Sequence, residues 1–78
     1  MDTDFLSYNK SIKEWYQSLD QRARVEVLHH LSEMLLLRGN IEEYATNLLQ
    51  TNEGKHIVDL YACLLMVGGE AFFEWLEN

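Results

Sequence analysis

The chain has 78 residues, 47% of them apolar, and 13 carboxylates against 6 lysines and arginines, for a formal net charge of −7. That length allows one domain that buries only about 60% of its unfolded surface, and the apolar content excludes a disordered chain despite the charge. With Cys63 as the single cysteine, no intrachain disulfide and no zinc site built from two or four cysteines can reinforce the core.

Proline is absent and glycine scarce, which removes the turn punctuation a strand-rich fold needs. The periodicity is helical instead. Ile12, Trp15, Tyr16 and Leu19 stand at i, i+3, i+4 and i+7 and predict a first helix. Two starts fit it: a cap at Asp4, or a capping box of Ser11 and Glu14 that leaves Phe5 and Leu6 as a packed arm. Asp20 reads as the N-cap of a second helix over 21–38, ended by Gly39 in the left-handed C′ position. Leu28, Leu31 and Leu35 form its expected core stripe, widened by Val25, Met34 and Leu36 or Leu37. A cap at Asn40 with Glu43 at N3 opens a third helix that carries Ile41, Tyr44, Ala45, Leu48 and Leu49 on one face.

Thr51, Asn52, Glu53, Gly54 and Lys55 break the pattern and read as a loop. A fourth helix follows over 56–67. From Ile57 to Val67 only Asp59 is clearly polar, and a helix apolar nearly all round is a buried one. Gly68 and Gly69 interrupt it, and 70–77 forms a short last helix. The expected architecture is all-α: a single helical domain over 1–78, a compact bundle of four to five short helices around a central buried helix at about 56–67.

The strongest metal pattern is a pair of Glu-x-x-His motifs, Glu26 with His29 and Glu53 with His56, which is the ligand spacing of dimetal carboxylate bundles. Such sites need two further inward glutamates from other helices, and the loop expected at Glu53 removes helical spacing there. No metal or other cofactor is expected. His29 and His30 point about 100° apart on a helix, so at most one of them meets a given ligand, and either can pair with Glu33. Cys63, inside the most apolar segment, reads as a core residue whose pKa rises. Gly68-Gly69 lacks the glycine spacing and the lysine of phosphate loops. No catalytic constellation is visible, and the chain is not expected to be an enzyme.

Lys10, Lys13, Arg22 and Arg24 surround Trp15 and Tyr16 in the one basic-aromatic cluster, which Glu14 and Asp20 dilute. Direct nucleic-acid binding is not expected of so acidic a chain. No apolar run approaches the ~18 residues of a membrane span. Met1-Asp2-Thr3-Asp4 shows neither a basic n-region nor an apolar h-region, so a cytoplasmic protein is expected.

From Gly39 onward, Glu42, Glu43, Glu53, Asp59, Glu70, Glu74 and Glu77 face one cation, Lys55. Glu70, Glu74 and Glu77 follow i, i+4 and i+7 and predict an acidic stripe, with Phe72, Trp75 and Leu76 largely on the other side. Phe73 either stands exposed beside the stripe as an apolar anchor or covers the first or second helix. An apolar anchor rimmed by carboxylates is the composition of a protein-binding surface. The expected function is therefore a protein-binding regulator or inhibitor that meets a basic partner through Glu70, Phe73, Glu74 and Glu77. Glu42 and Glu43 form a second acidic group, which also suits the positive end of their helix.

Two other readings fit the same composition. One is a homodimer that buries Leu35, Leu36, Leu37 and Met66. The other is an acidic inhibitor that mimics nucleic-acid charge, of the size and charge common among phage and mobile-element inhibitors. The nearly balanced first 38 residues weigh against the mimic.

Overall fold

The structure, a computed structural model, describes the backbone of residues 2–78 and the side chains from Asn9 onward. It contains α1 (Asp2–Ser18), α2 (Gln21–Leu36), α3 (Glu42–Leu48), α4 (Asn52–Val67) and α5 (Gly69–Glu77). Among the described residues there is no strand.

The helix starts are set by local chemistry, and three differ from those expected. α1 runs unbroken from Asp2, so Asp4 and Ser11 both lie inside the helix and neither caps it. Phe5 and Leu6 belong to its first turns, and their packing lies outside the described side chains. Asp20 does cap α2, accepting from the Ala23 N–H at 2.9 Å. α2 ends at Leu36 rather than Arg38, because Arg38 itself takes the left-handed conformation (φ 51°) ahead of Gly39 (φ 91°). Asn40 is not the cap of α3. Its N–H closes the turn onto Leu37 O at 3.0 Å, and Ile41 occupies the cap position without a side-chain hydrogen bond.

The largest revision concerns residues 51–55, where Thr51 caps α4 and 52–55 form its first turn rather than a loop. The Thr51 hydroxyl oxygen accepts from the Gly54 N–H at 2.9 Å, which satisfies one of the donors a helix start leaves open. Gly54 is buried, and a Cβ built there would collide with the backbone carbonyl of Leu48. Glycine thus serves here as a close-approach residue, letting the end of α3 lie against the start of α4.

α4 packs against each of the other four helices and is the centre of the fold. Its Ile57, Leu60, Tyr61, Cys63 and Leu64 meet Ile12 and Tyr16 of α1, Val27, Leu31 and Met34 of α2, and Phe72 and Leu76 of α5 in one core. α1 runs antiparallel to it: Trp15, late in α1, stacks near His56, while Asn9, earlier in α1, meets Cys63 further along α4. Leu60 is fully buried, and its truncation to alanine would cost about 2–5 kcal/mol.

Two burial expectations need correction. On α2 the core stripe is Val27, Leu31 and Met34, with Leu28 half-buried. Val25, Leu35, Leu36 and Leu37 are exposed. Apolar residues occur around the whole circumference of this helix, so its own sequence does not choose a face; the position of α4 does. α4 in turn is not buried throughout. Its last turn emerges from the core and exposes Leu65, Met66 and Val67.

Candidate protein-binding surface

α5 is set off from α4 by Gly68, whose φ of 89° and ψ of 155° redirect the chain in a single residue. Gly68 O then accepts from Phe72 N at 2.9 Å and starts the new helix. Phe72 and Leu76 are fully buried, and Trp75 is half-buried. With 3.6 residues per turn, Phe73 lies about 60° around the helix from Glu70 and about 40° from Glu77. Its ring packs edge-on against Phe72, with centroids 5.1 Å apart, and remains 38% exposed. Phe73 thus stands beside the acidic stripe, partly supported from below.

Glu70 and Glu74 are exposed and line one shallow concavity with Val67, Gly68, Gly69 and Ala71. The exposed Leu65, Met66 and Val67 end α4 immediately before it. The α4–α5 corner therefore joins aliphatic surface to two carboxylates, and α5 itself carries no cation. Glu77 has a second engagement. Its carboxylate accepts from the Tyr16 hydroxyl at 3.3 Å, and burial together with that neighbouring carboxylate raises the Tyr16 pKa.

Glu42 and Glu43 occupy the first turn of α3, where negative charge suits the helix dipole. Glu43 lines a different depression, with Leu37, Asn40, Tyr44 and Asn47. That depression and the one at Glu70 and Glu74 share no residue.

The basic-aromatic cluster of the N-terminal third is largely taken up by internal contacts. Arg24 donates from Nη2 to Gln17 O at 2.6 Å and from Nε to Leu19 O at 3.1 Å, satisfying carbonyls at the end of α1. Its guanidinium also lies 5.5 Å from the Tyr16 ring centre. Lys13 extends over Trp75 of α5 at 5.5 Å. Lys10 and Arg22 remain exposed.

The histidines and their acidic neighbours separate in the same way. His29 approaches Glu33 at 3.8 Å on an exposed face. His30 Nδ1 hydrogen-bonds the Tyr44 hydroxyl at 2.7 Å, and His56 stacks near Trp15 with ring centres 4.7 Å apart. The Glu-x-x-His pairs do not converge as pairs: Glu26 and Glu53 line one cleft, together with His30 rather than His29 or His56. Among the described residues no group of three His, Cys, Asp or Glu side chains is placed to hold a metal ion. No described helix is long and apolar enough to cross a membrane.

Cys63 is buried, and its thiol donates to Asn9 Oδ1 at 3.0 Å. Burial raises its pKa, reinforced by the Asp59 carboxylate. This is the setting of an unreactive thiol. Sequence reading missed Asn9, a polar residue only 4% exposed, because nothing in its neighbourhood marks it as buried.

No protein family, curated protein or solved structure matches the chain. Its function has to be read from its own residues.

Proposed function

We propose that this protein is a non-enzymatic, cytoplasmic regulator or inhibitor that docks the α4–α5 corner onto a basic surface of a larger protein. The observation that supports this reading is that exposed Val67 shares one concavity with Glu70 and Glu74, while Leu65, Met66 and Phe73 are exposed on the same two helices. Exposed apolar side chains beside carboxylates are the composition of a recognition surface. The rim charge complements a basic partner: it steers encounter and disfavours acidic competitors, and the aliphatic and aromatic side chains supply the desolvated centre.

Affinity capture from the native lysate, with washes split between low and high salt, tests the proposal. A stoichiometric partner that is lost at high salt, and is also lost on charge reversal at Glu70 and Glu74, supports it. Recovery of the protein alone in both washes favours a homo-oligomer. The exposed Leu35, Leu36, Leu37 and Leu49 support that second reading.

A further inference from the structure

α5 is joined to α4 at one residue and clasped by α1 at its far end. Gly68 N donates to Leu64 O at 2.9 Å and completes α4, while Gly68 O accepts from Phe72 N at 2.9 Å and begins α5. These two bonds lie on opposite sides of the Gly68 Cα, so rotation about its φ and ψ breaks neither. Glycine populates both signs of φ readily. A Cβ built at Gly68 or Gly69 would meet nothing within 4 Å, so no neighbour wedges the joint. Gly68 is also the N-cap of α5 and has no side chain with which to fix its direction.

At the other end, Lys13, Tyr16 and Gln17 stand at i, i+3 and i+4 on one face of α1, and they meet three consecutive residues of α5. Lys13 Nζ lies 5.5 Å from the Trp75 ring centre. The Tyr16 hydroxyl donates to the Glu77 carboxylate at 3.3 Å, and Gln17 Nε2 donates to Leu76 O at 3.3 Å. Between joint and clasp, α5 supplies Phe72 and Leu76, two of the twelve buried apolar residues of the described core. The other ten belong to α1, α2 and α4, so most of the core does not depend on α5.

We infer that α5 is a hinged strap: it opens as a unit about Gly68 while α1 to α4 stay folded, and the clasp of Lys13, Tyr16 and Gln17 sets how often it opens. Folded proteins open in contiguous cooperative units that are less stable than the whole. α5 has what such a unit needs, a joint free to turn and few core residues to lose. Opening moves Glu70, Phe73 and Glu74 relative to Val67, so the clasp governs the α4–α5 corner from the other end of the helix. That consequence rests on the docking role proposed above, whereas the opening itself does not.

Native-state hydrogen exchange of the full chain, read amide by amide by NMR across low denaturant concentrations, is the test. The hydrogen-bonded amides from Phe72 to Glu77 should share one opening, about tenfold or more as populated as the one that exposes the Leu31 and Leu60 amides. The Tyr16→Phe/Gln17→Ala variant keeps the buried ring near Arg24 and removes both hydrogen bonds. In it the α5 opening should become about fivefold or more as populated, with exchange in α2 and α4 unchanged. Exchange of the α5 amides only together with those of α2 and α4 overturns the proposal, as does exchange graded from Glu77 inward, which is fraying. An α5 opening that the variant leaves unchanged, or exchange that it speeds in every helix alike, overturns it too. No partner takes part in these readings, so a failure to capture one counts against the docking role alone.

Discussion

The Cys63 thiol donates a hydrogen bond to Asn9 Oδ1 at 3.0 Å in the buried seam between α1 and α4, while Asn9 Nδ2, equally buried, has no partner. Among the described residues the amide is thus half-satisfied. A buried donor left unpaired costs about 1–3 kcal/mol, whereas an apolar group of similar shape costs nothing comparable. Asn9→Leu keeps the branched shape and removes the orphan donor, so its thermal or urea midpoint should equal or exceed that of the parent. Asn9→Asp places a charge in the same buried seam, and should destabilise by several kcal/mol.

The same seam predicts the reactivity of the thiol. Native protein should resist a thiol reagent and react fully after denaturation, because the thiol is covered and burial disfavours its thiolate. The raised pKa also has a stability consequence. The folded state holds the thiol proton more tightly than the unfolded chain, so this contribution is complete below the ordinary thiol value of 9.0. It is lost as pH rises through the folded-state value. Tyr16 and Tyr44, both raised mainly by burial from 10.0, add losses of the same sign at higher pH. Unfolding free energy should therefore decline on the alkaline side, and Cys63→Ala should remove the earliest part of that decline in denaturant titrations at pH 8 to 10.

Gly54 gives the sharpest single-residue prediction. An alanine Cβ there would overlap the Leu48 carbonyl, and what must yield is backbone rather than a flexible side-chain end. Gly54→Ala should destabilise by at least about 3 kcal/mol, against the ~1 kcal/mol gain that this exchange brings in an open helix. A denaturant melt that shows no loss would contradict the close packing of α3 on α4.

Arg38 supplies the opposite case. It holds a positive φ of 51° with no Cβ-free residue to ease it, a conformation that costs an L-residue roughly 1–2 kcal/mol. Arg38→Gly should raise the unfolding free energy by about 0.5–1 kcal/mol after the entropy of the added glycine is counted.

These residues also show where the sequence was readable. Asp20 at the start of α2, the half-buried face of Ile41, Tyr44, Ala45 and Leu48, and the centrality of α4 follow from capping chemistry and helical spacing, which act within a few residues; Leu49, expected on the same face, is exposed at the C-cap of α3. The misreadings of burial depend on distant partners. Gly54 resembles a loop residue until Leu48 is seen against it, and the run Leu35 to Leu37 resembles core until α4 is placed beside Val27, Leu31 and Met34. Glu26 and Glu53 were each paired by spacing with the histidine three positions on. In the fold the two glutamates are exposed and line one cleft, while His29 turns to Glu33 and His56 stacks on Trp15. The acidic stripe of α5 was legible, since Glu70, Glu74 and Glu77 are helical neighbours; the tie of Glu77 to Tyr16, 61 residues away, was not.

The most direct test of the α4–α5 surface is site-specific photocrosslinking in cells that express the protein, with a photoreactive phenylalanine analogue at Phe73. The account predicts one discrete adduct with a heterologous protein that presents a basic surface, and its loss when Glu70 and Glu74 are both changed to lysine. An adduct only with a second copy of this chain, or an adduct that survives the charge reversal, would contradict it.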